Sequence, residues 1–160
     1  MRETLFNWLA PQLPGARCLD LFAGTGALGL EALSRGAATV TLLELQRDVA
    51  AQLRTNCNTL GATEARVLET SAINWLEQTA DAPYEVIFID PPFNSNLWQA
   101  AITALEDRHL VADQAMIYIE KPKAIHLVTP NNWTLHRNKV AGAVSAQLFV
   151  RNAAQEAGDL

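Results

Sequence analysis

The sequence predicts an α/β fold: a doubly wound, mostly parallel sheet of seven strands with an antiparallel C-terminal hairpin. Three observations predict it. Strand-like and helix-like stretches alternate between residues 17 and 119, as in successive βαβ units. The inner strands, Val86-Ile87-Phe88-Ile89 above all, are apolar on both faces, which suits a sheet covered on both sides. From Trp133 the pattern turns to two alternating runs joined near Ala141-Gly142, the mark of a hairpin.

In chain order, Arg2 to Leu9 reads as a helix with Leu5, Phe6, Trp8 and Leu9 on its apolar face, stopped by Pro11 and Pro14-Gly15. A strand from Arg17 to Phe22 leaves through the glycine-rich run Ala23 to Gly29. The helix that follows reaches about Arg35, with Gly36 as its C-cap. The second strand, Thr39 to Leu43, ends in Glu44. A helix from Asp48 to Leu60 places Val49, Leu53, Cys57 and Leu60 on one side and stops at Gly61. The third strand, Ala65 to Leu68, runs into Thr70-Ser71, and Ser71 caps a helix to Gln78. The fourth strand, Glu85 to Ile89, meets Asp90-Pro91-Pro92-Phe93. Ser95 or Asn96 caps the next helix, where Leu97, Trp98, Ala101, Ile102 and Leu105 recur at helical spacing. The fifth strand, Ala115 to Ile119, ends at Glu120. Trp133 to Val140 and Ala143 to Arg151 form the hairpin. One domain is expected over residues 1–152, with a frayed tail at 153–160.

Composition narrows the function classes. No run of about 18 apolar residues suggests a membrane span, and Met1 to Phe6 lacks the features of a secretory signal. Cys18 and Cys57 do not make a disulfide framework, which points to a reduced, cytoplasmic setting. The net charge of −5 argues against a dominant phosphate-binding surface; the basic residues are scattered, with a modest concentration at Lys121, Lys123, Arg137, Lys139 and Arg151. His109, His126 and His136 lack metal-ligand spacing and read as surface residues, so no metal is expected. Trp8, Trp75 and Trp98 read as core. Trp133 has a second reading, as an edge of a substrate groove.

In doubly wound sheets ligands bind at the carboxyl ends of the strands. Asp20, Glu44, Ser71, Asp90 and Glu120 all fall at or just past such an end. Gly24, Gly26 and Gly29 match G-x-G-x-x-G, with Glu44 about 20 residues after the first glycine, as in dinucleotide sites. Asp20 conflicts with that reading, because a carboxylate at the mouth of the loop repels a pyrophosphate at the helix N-terminus. A ligand with an adenosine end and a cationic end fits better, and S-adenosylmethionine has both. The bland alternative is glycines that pack a helix on the sheet, with Asp20 as its cap. Ser71 has two readings, helix cap and lining of an adenine pocket. Glu120 reads as structural.

Asp90-Pro91-Pro92-Phe93 is more than a turn requires. A nucleobase amino group is a poor nucleophile until two acceptors aim its lone pair. The Asp90 carboxylate and the Pro91 carbonyl supply them, and the prolines hold the carbonyl still. Phe93 can stack on the base face. An electrophilic methyl about 3–3.5 Å away and in line then needs no metal and no covalent intermediate. The bland alternative is a rigid turn with a buried Phe93.

With both motifs placed, the chain resembles the S-adenosylmethionine-dependent methyltransferases with a seven-stranded, Rossmann-like sheet. More narrowly, it is similar to the bacterial small-subunit ribosomal RNA guanine-N2 methyltransferase family. The resemblance runs from Arg2 to about Arg151. It is carried by the Arg2 to Leu9 run, Leu19 to Ala32, Asp90 to Phe93, and Leu135 to Gly142. It implies methylation of a guanine in 16S ribosomal RNA, presented in a ribosomal subunit or assembly intermediate, by a cytoplasmic monomer. It also implies cofactor contacts at Asp20, at Ala23, Gly24, Thr25 and Gly26, at Glu44 and Leu45, and at Ser71 and Ala72, with catalysis by Asp90, Pro91 and Phe93. Members usually carry a basic segment ahead of the first helix. This chain starts at that helix, so a shortened gene start or product is expected, with RNA affinity reduced. The residues alone leave three alternatives: adenine-N6 methylation, a nucleotide-dependent oxidoreductase, and a non-catalytic cofactor-binding adaptor.

Overall fold

The computed structural model describes residues 2–153. It contains α1 (Arg2–Leu9), β1 (Arg17–Asp20), α2 (Ala27–Ser34), β2 (Thr39–Glu44), α3 (Arg47–Leu60), β3 (Ala65–Glu69), α4 (Ala72–Gln78), β4 (Tyr84–Ile89), α5 (Leu97–Asp107), β5 (Val111–Pro122), β6 (Trp133–Ala141) and β7 (Val144–Arg151). The seven strands form one sheet in the order β3-β2-β1-β4-β5-β7-β6. The first five are parallel, and β7 runs antiparallel to both β5 and β6. The expected fold class is therefore the observed one. The strand order reverses between β1 and β4, the crevice where such sheets bind ligands.

The unbroken apolar strands are explained by two cores. Val86 and Phe88 of β4 pack with Leu5, Phe6 and Leu9 of α1 and with Leu53 of α3. Ile87 and Ile89, on the other face, pack with Leu76 of α4 and with Trp98, Ile102 and Leu105 of α5. Alternate residues of one strand thus serve opposite cores, so neither face can be polar. Trp98 is fully buried, and its indole N–H donates to the Glu120 carbonyl at 2.8 Å. A buried indole needs such a partner, and this one fastens the start of α5 to the end of β5.

Several expected boundaries move. β1 stops at Asp20; Leu21 N–H still bonds the Phe88 carbonyl of β4, and Ala23 N–H bonds the Leu43 carbonyl of β2 as the chain enters its loop. β5 begins at Val111, four residues early. Its polar Asp113 and Gln114 hide that start, with a register irregularity and Gln114 at φ 66. Asn96 stands at the N-cap of α5 without a side-chain capping bond, whereas Ser71 Oγ does accept from Asn74 N–H. Leu60, expected on the buried side of α3, is 67% exposed at the helix end. Trp133 is buried at the base of the hairpin, donating to Glu106 at 3.0 Å, and does not edge a groove. The hairpin turn is Gly142-Ala143, with Gly142 at φ 61. Asn152 is tied to Asn132 and Thr134. Residues 154–160 of the expected tail lie outside the described residues.

Candidate active site

A cleft of about 380 Å³ opens at the carboxyl ends of the strands. That volume suits a small-molecule ligand. Of the residues expected in the site, Gly24, Glu44, Leu45, Ser71, Ala72, Asp90, Pro91 and Phe93 line it together. Asp20, Ala23, Thr25 and Gly26 do not line it. Asp20 is 1% exposed, Ala23 and Gly26 are buried, and exposed Thr25 only offers its carbonyl to Asn56.

The loop after β1 is held by acids rather than holding one. Glu44 Oε1 accepts from Gly24 N–H at 3.1 Å and Oε2 from Gln46 N–H at 2.8 Å, so the carboxylate is fixed before any ligand arrives. Gly24 is at φ 56, a conformation that side chains rarely adopt. Gly29 has a different reason. A Cβ there would lie 2.5 Å from Leu42 Cδ2 and 3.4 Å from Asp20 Oδ2, so a side chain at this position would force Leu42 to shift where α2 packs on the sheet.

Asp20 Oδ2 accepts from Gly29 N–H at 3.2 Å, which makes Asp20 a cap of the first turn of α2, as the bland reading had it. Its Oδ1, however, is buried with no partner. A fully buried carboxylate oxygen without a donor is costly. Burial pushes the Asp20 carboxyl up to about 7, against the lowering effect of the Gly29 and Phe22 N–H groups, and the charge of Glu44 raises it further.

Asp90 is half-buried past the end of β4. Burial raises its carboxyl well above the carboxylate range, and the neighbouring charges of Glu120 and Asp20 and a hydrogen bond with Glu120 add to the rise. Tyr118 donates to Glu120 Oε1 at 2.6 Å, and Glu120 in turn raises the Tyr118 phenol, after burial. Pro91 is buried, whereas Phe93 is 44% exposed. With Leu45 at 68%, it leaves two large apolar side chains open at the cleft.

Gln46, Thr70, Ile73 and Leu97 also line the cleft and escaped the sequence reading. Gln46 and Thr70 follow β2 and β3 by one or two residues, so their position past a strand end was the available signal. Ile73 and Leu97 are first-turn residues of α4 and α5, and an apolar stripe does not say which of its ends meets a cleft. Among the described residues no group of acids, histidines and cysteines is arranged to hold a metal.

The donor set can be tested against S-adenosylmethionine. An unpartnered buried anionic oxygen suits an ammonium or sulfonium group. A fixed acid after β2 suits ribose hydroxyls, and apolar walls suit adenine. The residues present fit. The acids at the strand ends, Asp20, Glu44, Asp90 and Glu120, disfavour a pyrophosphate.

The chain is similar to known proteins over most of its length. The family model described as conserved hypothetical protein 95 matches residues 1–150. The ribosomal RNA small subunit methyltransferase D of Escherichia coli (strain K12) is 51% identical over 157 residues, covering 98% of this chain and 79% of that protein. The protein of the same name from Haemophilus influenzae is 45% identical over 152 residues, covering 93% and 79%. The solved structure of yhhF from Escherichia coli, described as a candidate methyltransferase, superposes with a TM-score of 0.90 at 50% identity, covering 96% of this chain and 85% of that one.

Proposed function

The chain belongs to the conserved hypothetical protein 95 family, with relatives named ribosomal RNA small subunit methyltransferase D, and on that premise we propose that it methylates the 2-amino group of a guanine in 16S ribosomal RNA, with S-adenosylmethionine as donor. The observation that carries the reading is the cleft itself. It has a fixed acid, Glu44, on one side, Asp90-Pro91-Pro92-Phe93 on the other, and the unpartnered Asp20 Oδ1 buried nearby.

When bound, S-adenosylmethionine supplies an electrophilic methyl group on a sulfonium. Asp20 Oδ1, buried beside the cleft, would accept from the cationic end of the donor. Glu44, oriented by Gly24 and Gln46 N–H, would accept from the ribose hydroxyls. Ser71, Ala72 and Leu45 would wall the adenine. Asp90 and the Pro91 carbonyl take the two N–H groups of the guanine amine and aim its lone pair, while Phe93 stacks on a base turned out of its helix. The substrate is a ribosomal subunit or assembly intermediate in the cytoplasm, and the enzyme acts as a monomer.

Two experiments test the reading. In calorimetry the protein binds S-adenosylmethionine and not NADH; the reverse result excludes it. In a methylation assay on ribosomal subunits from a strain lacking this gene, mass spectrometry maps one N2-methylguanine. Methylation at adenine N6 instead would reassign the acceptor. Asp90→Ala lowers kcat by at least about 100-fold, and an unchanged rate removes Asp90 from the mechanism.

A further inference from the structure

Glu120 stands near the end of β5 and has no task in the methyl transfer described above. Its position is set by strand register. Ile89 of β4 pairs with Ile119 of β5, and Phe88 with Tyr118, so Asp90 and Glu120 are the next neighbours across two parallel strands. Adjacent strands are about 4.8 Å apart, so two carboxyl-bearing residues leave the sheet side by side. Phe88 and Tyr118 belong to one core, which puts Asp90 and Glu120 on the same face. Two fixings hold Glu120 there: Tyr118 O–H donates to its Oε1 at 2.6 Å, and Trp98 holds its carbonyl at 2.8 Å. Glu120 is therefore held in place beside Asp90, and its charge acts on Asp90.

We propose that Glu120 is a positioning residue for Asp90, a fixed anion that keeps Asp90 basic enough to take the proton released by methyl transfer. The inference rests on the methyl-transfer reading of the cleft. In the step, the amine nitrogen uses its lone pair to bond the new carbon. The carbon–sulfur bond breaks and leaves its electron pair on sulfur, so no oxidant or reductant is needed. The nitrogen then carries one proton too many, and Asp90 receives it. An ordinary carboxylate is a weak acceptor for a proton at neutral pH, whereas a base whose strength matches the working pH is efficient. The charged and titratable groups around Asp90 are Glu120 and Tyr118 from β5 and Asp20 from β1, with Glu44 of β2 beyond Asp20. No basic group stands among them; Glu120 and Asp20 both push Asp90 upward after burial, and Glu120 contributes the larger charge.

The test is Glu120→Gln. Glutamine is isosteric, and its amide oxygen still accepts from Tyr118. Asp90 must be ionised to accept the amine, so the wild-type rate falls as pH drops through the raised Asp90 value. In the variant the acid limb of the kcat profile moves at least one unit lower, and the variant keeps more of its plateau rate at pH 6 than wild type. KM for the donor is unchanged. A merely structural Glu120 would lower the rate at every pH without moving the limb, and that result overturns the inference. A second readout needs no turnover: carbon-13 carboxyl titration of Asp90 in the donor-free protein. A midpoint that Glu120→Gln leaves in place overturns the pairing, whatever the protein methylates. A midpoint that moves, in a protein that methylates no ribosomal RNA, upholds the pairing and overturns the reading of the cleft instead. Should the variant fail to fold, the wild-type titration decides: one ordinary step near the usual aspartate value overturns the inference, and a raised midpoint coupled to Glu120 supports it.

Discussion

Asp20 is held in a state that the fold by itself disfavours. Its carboxyl is raised to about 7 by burial, and one oxygen has no donor. A carboxyl raised on folding binds its proton more tightly in the native state. Stability is therefore fullest below the unfolded value near 3.9 and declines as pH rises through about 7. Asp20→Asn removes this penalty, because the amide oxygen can accept from Gly29 and the amide nitrogen can sit where Oδ1 is. The variant should be more stable than wild type at pH 8, by on the order of 1–3 kcal/mol. That gain should vanish toward pH 4 in denaturant titrations. Its affinity for S-adenosylmethionine should fall at least about tenfold, corresponding to one lost charge-assisted hydrogen bond. Gly29→Ala tests the neighbouring contact differently: with Leu42 Cδ2 2.5 Å from the new Cβ, it should cost about 1–3 kcal/mol of stability through overpacking.

At the scale of elements, the far end of the sheet is fastened separately from the cleft. Glu106 of α5 gathers Arg151 at the end of β7, Trp133 at the start of β6, and Asn132 before it. Arg151 also pairs with Asp113 of β5. The Glu106 carboxyl is half-buried, which raises it, but Arg151, Asn132 and Trp133 together hold it below the ordinary range. Glu106→Ala leaves Arg151 and the Trp133 indole without their acceptor. The expected loss is about 2–4 kcal/mol, with faster amide exchange in β6 and β7 and an unchanged KM for the donor. A large change in KM would mean that the hairpin base communicates with the cleft. The hairpin itself was legible in its alternation, but this clamp was not. Glu106 and Arg151 are 45 residues apart, and nothing local marks them as partners.

For the whole molecule, the modest basic concentration divides in three dimensions. Lys121 is buried with its ammonium on the Ile125 carbonyl, and Arg151 is consumed by the hairpin clamp. Lys123, Arg137 and Lys139 stay exposed, and among the described residues none of them forms an ion pair. With only Lys123, Arg137 and Lys139 exposed in that concentration, the other basic residues scattered, and a net charge of −5, affinity for RNA should depend weakly on salt. The plot of log K against log salt should have a slope of about −2 to −3, at roughly 0.7–0.9 per neutralised phosphate. A slope steeper than about −5 would show a phosphate-binding surface larger than these exposed cations supply.

The sequence by itself determined the order and type of elements, the glycine loop, and which acids stand at strand ends. These are local properties: period, turn chemistry and the end of an apolar run are written in consecutive residues. The tertiary structure alone decided which of those acids meet. Asp20 and Asp90 are neighbours because the crossover sets β1 against β4, and Asp90 meets Glu120 because of the register between β4 and β5. It also decided that Asp20 lies beneath the cleft rather than in its wall. Register and crossover order depend on how distant strands bury their faces together. The charge environment of Asp90, which follows from them, was therefore out of reach until the sheet was assembled.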